Sequence, residues 1–199
     1  MKPALTIRPA LQSDAAFVAE MIHLSMGHLA DYLFGADPQR LIENLAARNA
    51  GRFGAGLSYV AESAGTLKGA LISFKGAGID RLNLATFPHL FPALGFLHAL
   101  GFMWRGVMLP GGAEAKADEY YISNLGVNPT AQGLGIGSAL LAFAEKTAVE
   151  TGLAKVSLIV GLYNQNALRL YQRVGYCIVE TVQAANQTLG YHRMVKVLS

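Results

Sequence analysis

The sequence predicts one mixed α/β domain built around seven strand-like runs. Three observations carry that reading. The chain has 199 residues, the length of a single domain. Hydrophobic residues make up 52% and charged residues 15%, which suffices for a full core and is too apolar for a disordered chain. Runs of strand length then alternate with segments of helical period. The order is strand, two helices, hairpin, apolar insertion, then strand, helix, strand, helix and two last strands.

Leu5-Thr6-Ile7-Arg8 reads as a short strand stopped by Pro9. Ser13 is placed to cap the next helix, with Asp14 in its first turn. Phe17, Met21, Leu24 and His28 recur at helical spacing and define its apolar face. Asp37-Pro38 opens a second helix, with Leu41, Ile42, Leu45 and Ala46 as its buried stripe. Residues 57–62 and 67–74 are strands joined by the turn Ser63-Ala64-Gly65-Thr66.

An apolar helical insertion follows at about 80–115. Its core, residues 82–109, is interrupted by Pro88, His89, Pro92, His98 and Arg105, and its cleanest run is about 12 residues, 93–104. A membrane span needs about 20 apolar residues, so this segment predicts a helix packed on protein. Two roles suit it, a core or dimer contact and a lid over a substrate pocket. Pro110-Gly111-Gly112 closes it, and residues 113–118 form a loop.

Residues 120–127 are the next strand, ended by Asn128-Pro129-Thr130. A glycine-rich turn leads into a helix from Ser138 to about Thr151, stopped by Gly152. Residues 155–160 have the continuous apolar character of a strand buried on both faces. Asn164 or Asn166 opens another helix that ends at Val174-Gly175, and residues 176–182 and 192–198 are the last two strands.

Composition excludes several functions. The net charge of +3 is spread along the chain, without the clustered basic face of a nucleic-acid-binding protein. The start of the sequence lacks the apolar run of a signal peptide, so a cytoplasmic location is expected, with no membrane association. One cysteine, Cys177, cannot form an internal disulfide, and its best reading is a small buried residue. His23, His28, His89, His98 and His192 lack metal-ligand spacing, so no metal is expected.

The most informative segment is Gln132-Gly133-Leu134-Gly135-Ile136-Gly137, between a strand and a helix. Glycines there allow positive φ and a close backbone approach, so that consecutive N–H groups point into one concavity. The helix near Ser138 adds its unpaired first-turn N–H groups and the positive end of its dipole. Together they suit a phosphate or pyrophosphate. A tight turn with no ligand is the plain alternative. No lysine follows as in a Walker loop, and the Gly-x-Gly-x-x-Gly spacing and acidic residue of a dinucleotide site are missing.

Downstream, Asn164-Gln165-Asn166-Ala167-Leu168-Arg169-Leu170-Tyr171-Gln172-Arg173-Val174-Gly175-Tyr176 puts Ala167, Leu170, Tyr171 and Val174 on one helical face. On periodicity alone Tyr171 is an ordinary core tyrosine. The two segments together, however, closely resemble the GNAT-type N-acetyltransferase superfamily. The first resembles its Gln/Arg-x-x-Gly-x-Gly/Ala loop, and the second its Asn-x-x-Ala-x-x-Leu-Tyr-x-x-x-Gly-Phe/Tyr signature. Leu125-Gly126-Val127-Asn128-Pro129 is also similar, and Ile7-Arg8-Pro9-Ala10 extends the likeness weakly to the start.

The resemblance implies an acyl-CoA N-acyltransferase fold, with a mostly antiparallel twisted sheet of six to seven strands, and acetyl-CoA as cosubstrate. It implies that the backbone of Leu125 and Val127 binds the pantetheine arm where the strand splays. The loop Gln132, Gly133, Leu134, Gly135, Ile136, Gly137 and Ser138 would hold the pyrophosphate. Asn164 and Ala167 would contact the arm, and Tyr171 would sit beside the sulfur. Gln132 stands where many members have arginine and adds no charge.

Acetyl transfer needs a neutral amine, a polarised carbonyl and a stabilised thiolate. An amine of pKa about 10.4 is neutral only about once in 2,500 molecules at pH 7. Tyr171 is the expected general acid for direct transfer in a ternary complex. The expected base is Glu119, the one acid on the alternating set Glu119, Tyr121, Ser123, Leu125 and Val127, or a water relayed by Tyr121 or Ser123. The resemblance implies an acceptor pocket built from residues 28–34, 82–109 and 183–191. With only 13 acids in the chain, a small amine or a peptide amine suits it better than a polycation. The alternatives are a non-catalytic acyl-CoA-binding regulatory module and another kind of nucleotide-binding α/β protein.

Overall fold

A computed structural model describes residues 4–109, 111–184 and 189–198. Seven strands form one sheet: β1 (Leu5–Pro9), β2 (Ser58–Ser63), β3 (Thr66–Lys75), β4 (Tyr120–Val127), β5 (Lys155–Gly161), β6 (Cys177–Val182) and β7 (Tyr191–Val197). Their order is β1-β2-β3-β4-β5-β7-β6. Every neighbouring pair is antiparallel except β4 and β5, which run parallel. The mostly antiparallel α/β architecture is the one expected.

Among the described residues seven α-helices cover the sheet: α1 (Ala15–Met26), α2 (His28–Phe34), α3 (Pro38–Ala47), α4 (Ile79–Leu94), α5 (Phe96–Val107), α6 (Ile136–Glu150) and α7 (Gln165–Arg173). Two cores result, one on each face. Met21, Ile22, Phe34, Ile42, Leu45 and Ile72 belong to the α1–α5 side. Leu140, Leu141, Leu158, Tyr171, Tyr176 and Met194 belong to the α6–α7 side. This double cover explains why β5 reads as a continuous apolar run.

The helix signals hold in part. Asp37 caps α3, its side chain accepting from the Arg40 N–H, with Pro38 at the first helical position. Gly152, at φ +79°, follows the end of α6. Ser13 caps nothing: α1 begins after a short 3-10 turn, and the buried Asp14 accepts from Leu11 N–H at 2.8 Å and Arg8 Nη1 at 2.7 Å. The buried face of α1 is Val18, Ala19, Met21 and Ile22, whereas Leu24 is exposed. The expected stripe was therefore out of phase, and His28 lies beyond α1 in α2.

The insertion is a helical hairpin. Gly95, at φ +77°, separates α4 from α5, and α4 runs on through Pro88 and Pro92. The pair lies against α2, α3 and the turn at Gly51–Phe53. Arg105 anchors it by donating through Nε and Nη2 to the Leu33 carbonyl. Phe96, Leu97, Leu100, Trp104, Val107 and Met108 form an exposed stripe along α5. No helix among the described residues is long and apolar enough to cross a membrane. Cys177 opens the terminal strand β6 and is exposed, which overturns its reading as a buried residue.

Candidate active site

The one parallel pair in the sheet makes the site. Tyr120, Tyr121 and Ile122 pair with Val156, Ser157 and Leu158, and the strands then part. β4 stays on β3 to Val127, and β5 stays on β7 to Gly161. A wedge opens between them, with unpaired strand edges as its walls. It continues into a cleft of about 490 Å³, within the range of small-molecule sites.

A β-bulge shapes the β4 wall. Ile72 pairs with Asn124 and Ser73 with Ile122, leaving Ser123 as the extra residue. The bulge resets the alternation. Tyr121 belongs to the α1–α5 core, but Leu125 and Val127 join Tyr120 and Ile122 on the opposite core. The expected common face for Glu119, Tyr121, Ser123, Leu125 and Val127 is thus broken at Ser123, because one extra residue inverts all that follow. Gly126 now faces α1, where an added Cβ would stand 2.4 Å from the Met21 carbonyl oxygen. Helix and strand touch there backbone to backbone.

At the mouth of the wedge, Gly133 and Gly135 have φ of +76° and +84°, and Gly135 is the N-cap of α6. A helix begun at Ile136, two residues before the predicted start, draws the last glycine into its first turn. Among the described residues, none of the N–H groups from Gly133 to Ser138 has an acceptor; the first bond of this region runs from Ala139 N–H to the Gly135 carbonyl. A Cβ on Gly133 or Gly135 would meet nothing within 4 Å, so open space lies over the turn. Gly137 matters for packing, since a Cβ there would approach Leu170 to 3.1 Å. Six donors at a helix N-terminus over open space fit a diphosphate.

Gln132, Gly133, Gly135, Ile136, Gly137 and Ser138 line this cleft, together with Leu125, Val127, Asn164, Ala167 and Tyr171. Leu134 does not; its side chain points away and is 64% exposed. The Asn164 oxygen is engaged as the cap of α7, accepting from Ala167 N–H at 3.1 Å. Tyr171 is buried, and burial pushes its hydroxyl up to about 12. Among the described residues that hydroxyl has no hydrogen-bond partner, although the ring touches Tyr176.

Glu119 lies apart from the cleft. Its buried carboxylate accepts from Arg193 and from Lys116 N–H. Burial works to raise this carboxyl, and the Arg193 bond overrides it, so the group titrates below the usual carboxylate range. A second acid, passed over in the sequence, stands closer to the bulge. Glu114 accepts from Arg52 at 2.7 Å and from the Tyr121 hydroxyl at 2.9 Å. Arg52 also donates to Ser123 Oγ at 3.1 Å, and Ser123 donates to Asn124 Oδ1. Burial again opposes ionisation of Glu114, and the Arg52 charge wins.

Other lining residues were missed as well: Leu24, Ser25, Asn124, Asn166 and Arg173. The exposure of Leu24 was the available signal, a large apolar residue facing a cleft instead of the core. Arg173 places a cation on the wall of a cleft whose glycine loop has none. Of the expected acceptor segments, no described residue of 28–34 or 82–109 lines this cleft. The third, 183–191, falls partly outside the described residues.

Residues 103–176 match the acetyltransferase (GNAT) family. Over 77 residues the chain is 40% identical to a mycothiol acetyltransferase of Paenarthrobacter aurescens, covering 39% of this chain and 23% of that protein. Over 97 residues it is 39% identical to the Salinispora tropica mycothiol acetyltransferase, covering 43% and 30%. The matched part thus spans about a quarter of the length of these relatives. The fold likeness runs through the whole chain. An N-acetyltransferase from Staphylococcus aureus superposes with a TM-score of 0.74 at 24% identity, over 96% of this chain and 99% of that one. A Corynebacterium glutamicum structure described as histone acetyltransferase HPA2 and related acetyltransferase gives 0.66 at 18% identity, over 100% and 98%. At these identities the structures establish the GNAT fold and nothing finer.

Proposed function

We propose that this GNAT-family chain is an acetyl-CoA-dependent N-acetyltransferase acting on a primary amine of a small molecule or peptide, by direct transfer in a ternary complex. One observation carries the reading: six unclaimed N–H groups sit at the mouth of a split sheet whose interior holds a tyrosine hydroxyl without a partner. Acetyl-CoA would supply an activated acyl group on a thiol leaving group. The N–H groups of Gly133 to Ser138 hold its diphosphate, and Arg173 adds charge. The free edge of β4 at Leu125 and Val127 binds the pantetheine arm and polarises the carbonyl as a backbone oxyanion donor does. Asn164 and Ala167 form the facing wall.

Tyr171 supports the departing sulfur. A thiol of pKa about 8.5 is a stronger acid than this raised phenol, so full proton transfer from Tyr171 is uphill. The hydroxyl acts first as a hydrogen-bond donor to developing charge, in a site where no other acceptor competes for it. The amine proton leaves through water at Ser123, beside the Arg52–Glu114–Tyr121 network. Glu119, held by Arg193, serves stability in this reading, in place of the base role first expected of it.

The test is thiol release from acetyl-CoA across a panel of primary amines and peptides, beside calorimetry with CoA. Turnover with at least one amine is expected. CoA heat without release for any amine would favour a regulatory module, and no heat would end the reading. A cytoplasmic location and a homodimer through the α5 stripe belong to the same proposal, the stripe being a contiguous row of large exposed apolar side chains. Light scattering should return twice the chain mass, and Leu97→Asp with Trp104→Asp should return the single mass.

A further inference from the structure

Tyr163 stands in the short loop between β5 and α7 and reaches across to the opposite wall. Its hydroxyl donates to the Met26 carbonyl at 3.1 Å, at the end of α1. Its ring meets the His28 ring edge-on, with centroids 4.8 Å apart. Glycines seat it on both sides. A Cβ on Gly27 would fall 2.3 Å from the Tyr163 hydroxyl oxygen, and one on Gly161 would fall 2.5 Å from its Cε1. Any larger residue at either place would push the ring out.

The position of this contact gives it meaning. Leu24 and Ser25 on α1 line the cleft, and so does Gly161 on β5. Tyr163 is not itself part of the cleft lining; it ties the ends of those two walls together at the rim, on the α1 side of the wedge. The diphosphate cradle at Gly133–Ser138 belongs to the opposite core, with α6. Tyr163 is 41% exposed, and its side chain is held at the end of α1 by the Met26 carbonyl, the His28 backbone and the edge of the His28 ring.

Resting on the acetyl-transfer reading, we propose that Tyr163 is a latch across the acceptor end of the cleft that limits the width of amine able to reach the acyl group. Slender, unbranched primary amines pass beneath it. Broad ring-bearing amines need it displaced. Tyr163 is thereby a specificity-determining residue; it touches no reacting atom.

The experiment compares kcat/KM for tryptamine and n-butylamine, with acetyl-CoA saturating, in the wild type, Tyr163→Ala, Tyr163→Phe and Gly27→Ala. CoA calorimetry and thermal melts accompany each. The tryptamine-to-butylamine ratio should rise at least about tenfold in Tyr163→Ala, the scale on which pocket size discriminates between substrates. Gly27→Ala should raise it too, because its Cβ expels the ring while Tyr163 is unchanged. Tyr163→Phe keeps the ring and loses its bond, and should give a smaller rise. Normal CoA binding with no gain for tryptamine in either alanine variant overturns the latch alone. No CoA heat in the folded wild type overturns the acetyl-transfer reading and the latch with it.

Discussion

The two walls of the wedge are made of different material. On the α6 side the site is backbone: amide groups exposed by a turn at positive φ, a helix start and a free strand edge. On the α1 side it is side chains: Leu24, Ser25, Asn124 and Ser123, the last backed by the network of Arg52, Glu114 and Tyr121. A backbone site depends on where the chain turns, and glycine is the residue that fixes such turns. A side-chain site depends on which distant segments meet, and no local pattern records that.

The largest effect should come from breaking the backbone wall. Gly135→Val places a β-branched residue at φ +84°, where strain costs on the order of 1–3 kcal/mol. Nothing lies within 4 Å of the new Cβ, so the fold should survive. The turn should shift to relieve φ, scattering the N–H groups, and CoA affinity should fall about 100-fold or more, the scale of several charge-assisted hydrogen bonds. Calorimetry reads this directly. Unchanged affinity would mean that the turn holds no diphosphate.

This contrast explains what the sequence disclosed. The strands, the glycine turn at Gln132–Gly137, the Asn164–Tyr176 helix and the capping of α3 and α7 were legible because each is a local matter of period, glycine placement or a cap three residues from its target. The bulge at Ser123 was not, since it arises in the pairing of β4 with β3, and it misplaced the face assigned to Glu119. Glu119 itself looked free because its partner Arg193 lies 74 residues away. Glu114 was passed over because Arg52, 62 residues off, is what links it to Ser123 on the cleft wall. The phase error in α1 has the same origin. Leu24 obeys the helical period of an apolar face but faces the cleft.

Tyr171→Phe should come second. It removes one donor from a buried site and should lower kcat about 100-fold with KM for acetyl-CoA within about threefold, the mark of an interaction made in the transition state. Its pH dependence has a definite sign. Burial raises the hydroxyl to about 12, so the protonated donor form persists at higher pH than in a free tyrosine. The wild-type rate should climb with the neutral fraction of the amine and show no falling limb below about pH 10.5. A falling limb centred near pH 9 would assign the donor to another group.

Glu119→Gln tests the two carboxylates against each other. Leaving Arg193 buried without its counter-charge should cost about 3 kcal/mol, a drop in Tm of roughly 6–12 °C for a domain of this size. Because the carboxyl is held below its usual range, its contribution is complete above that range and is lost as the pH falls through the folded value. Turnover per folded molecule should stay near wild type. Loss of turnover with Tm unchanged would return Glu119 to the role of base.

Leu134→Ser should do least, and for that reason it separates backbone from side chain most cleanly. Leu134 lies within the glycine turn, between two residues at positive φ, yet its side chain is 64% exposed and off the cleft. Its contribution to the cradle is one N–H, which serine keeps. CoA affinity should therefore stay within about twofold, as for an exposed substitution that alters no hydrogen bond. A tenfold loss would show that the leucine side chain folds over the bound ligand. The α6 wall would then be partly a side-chain site, like its counterpart across the wedge.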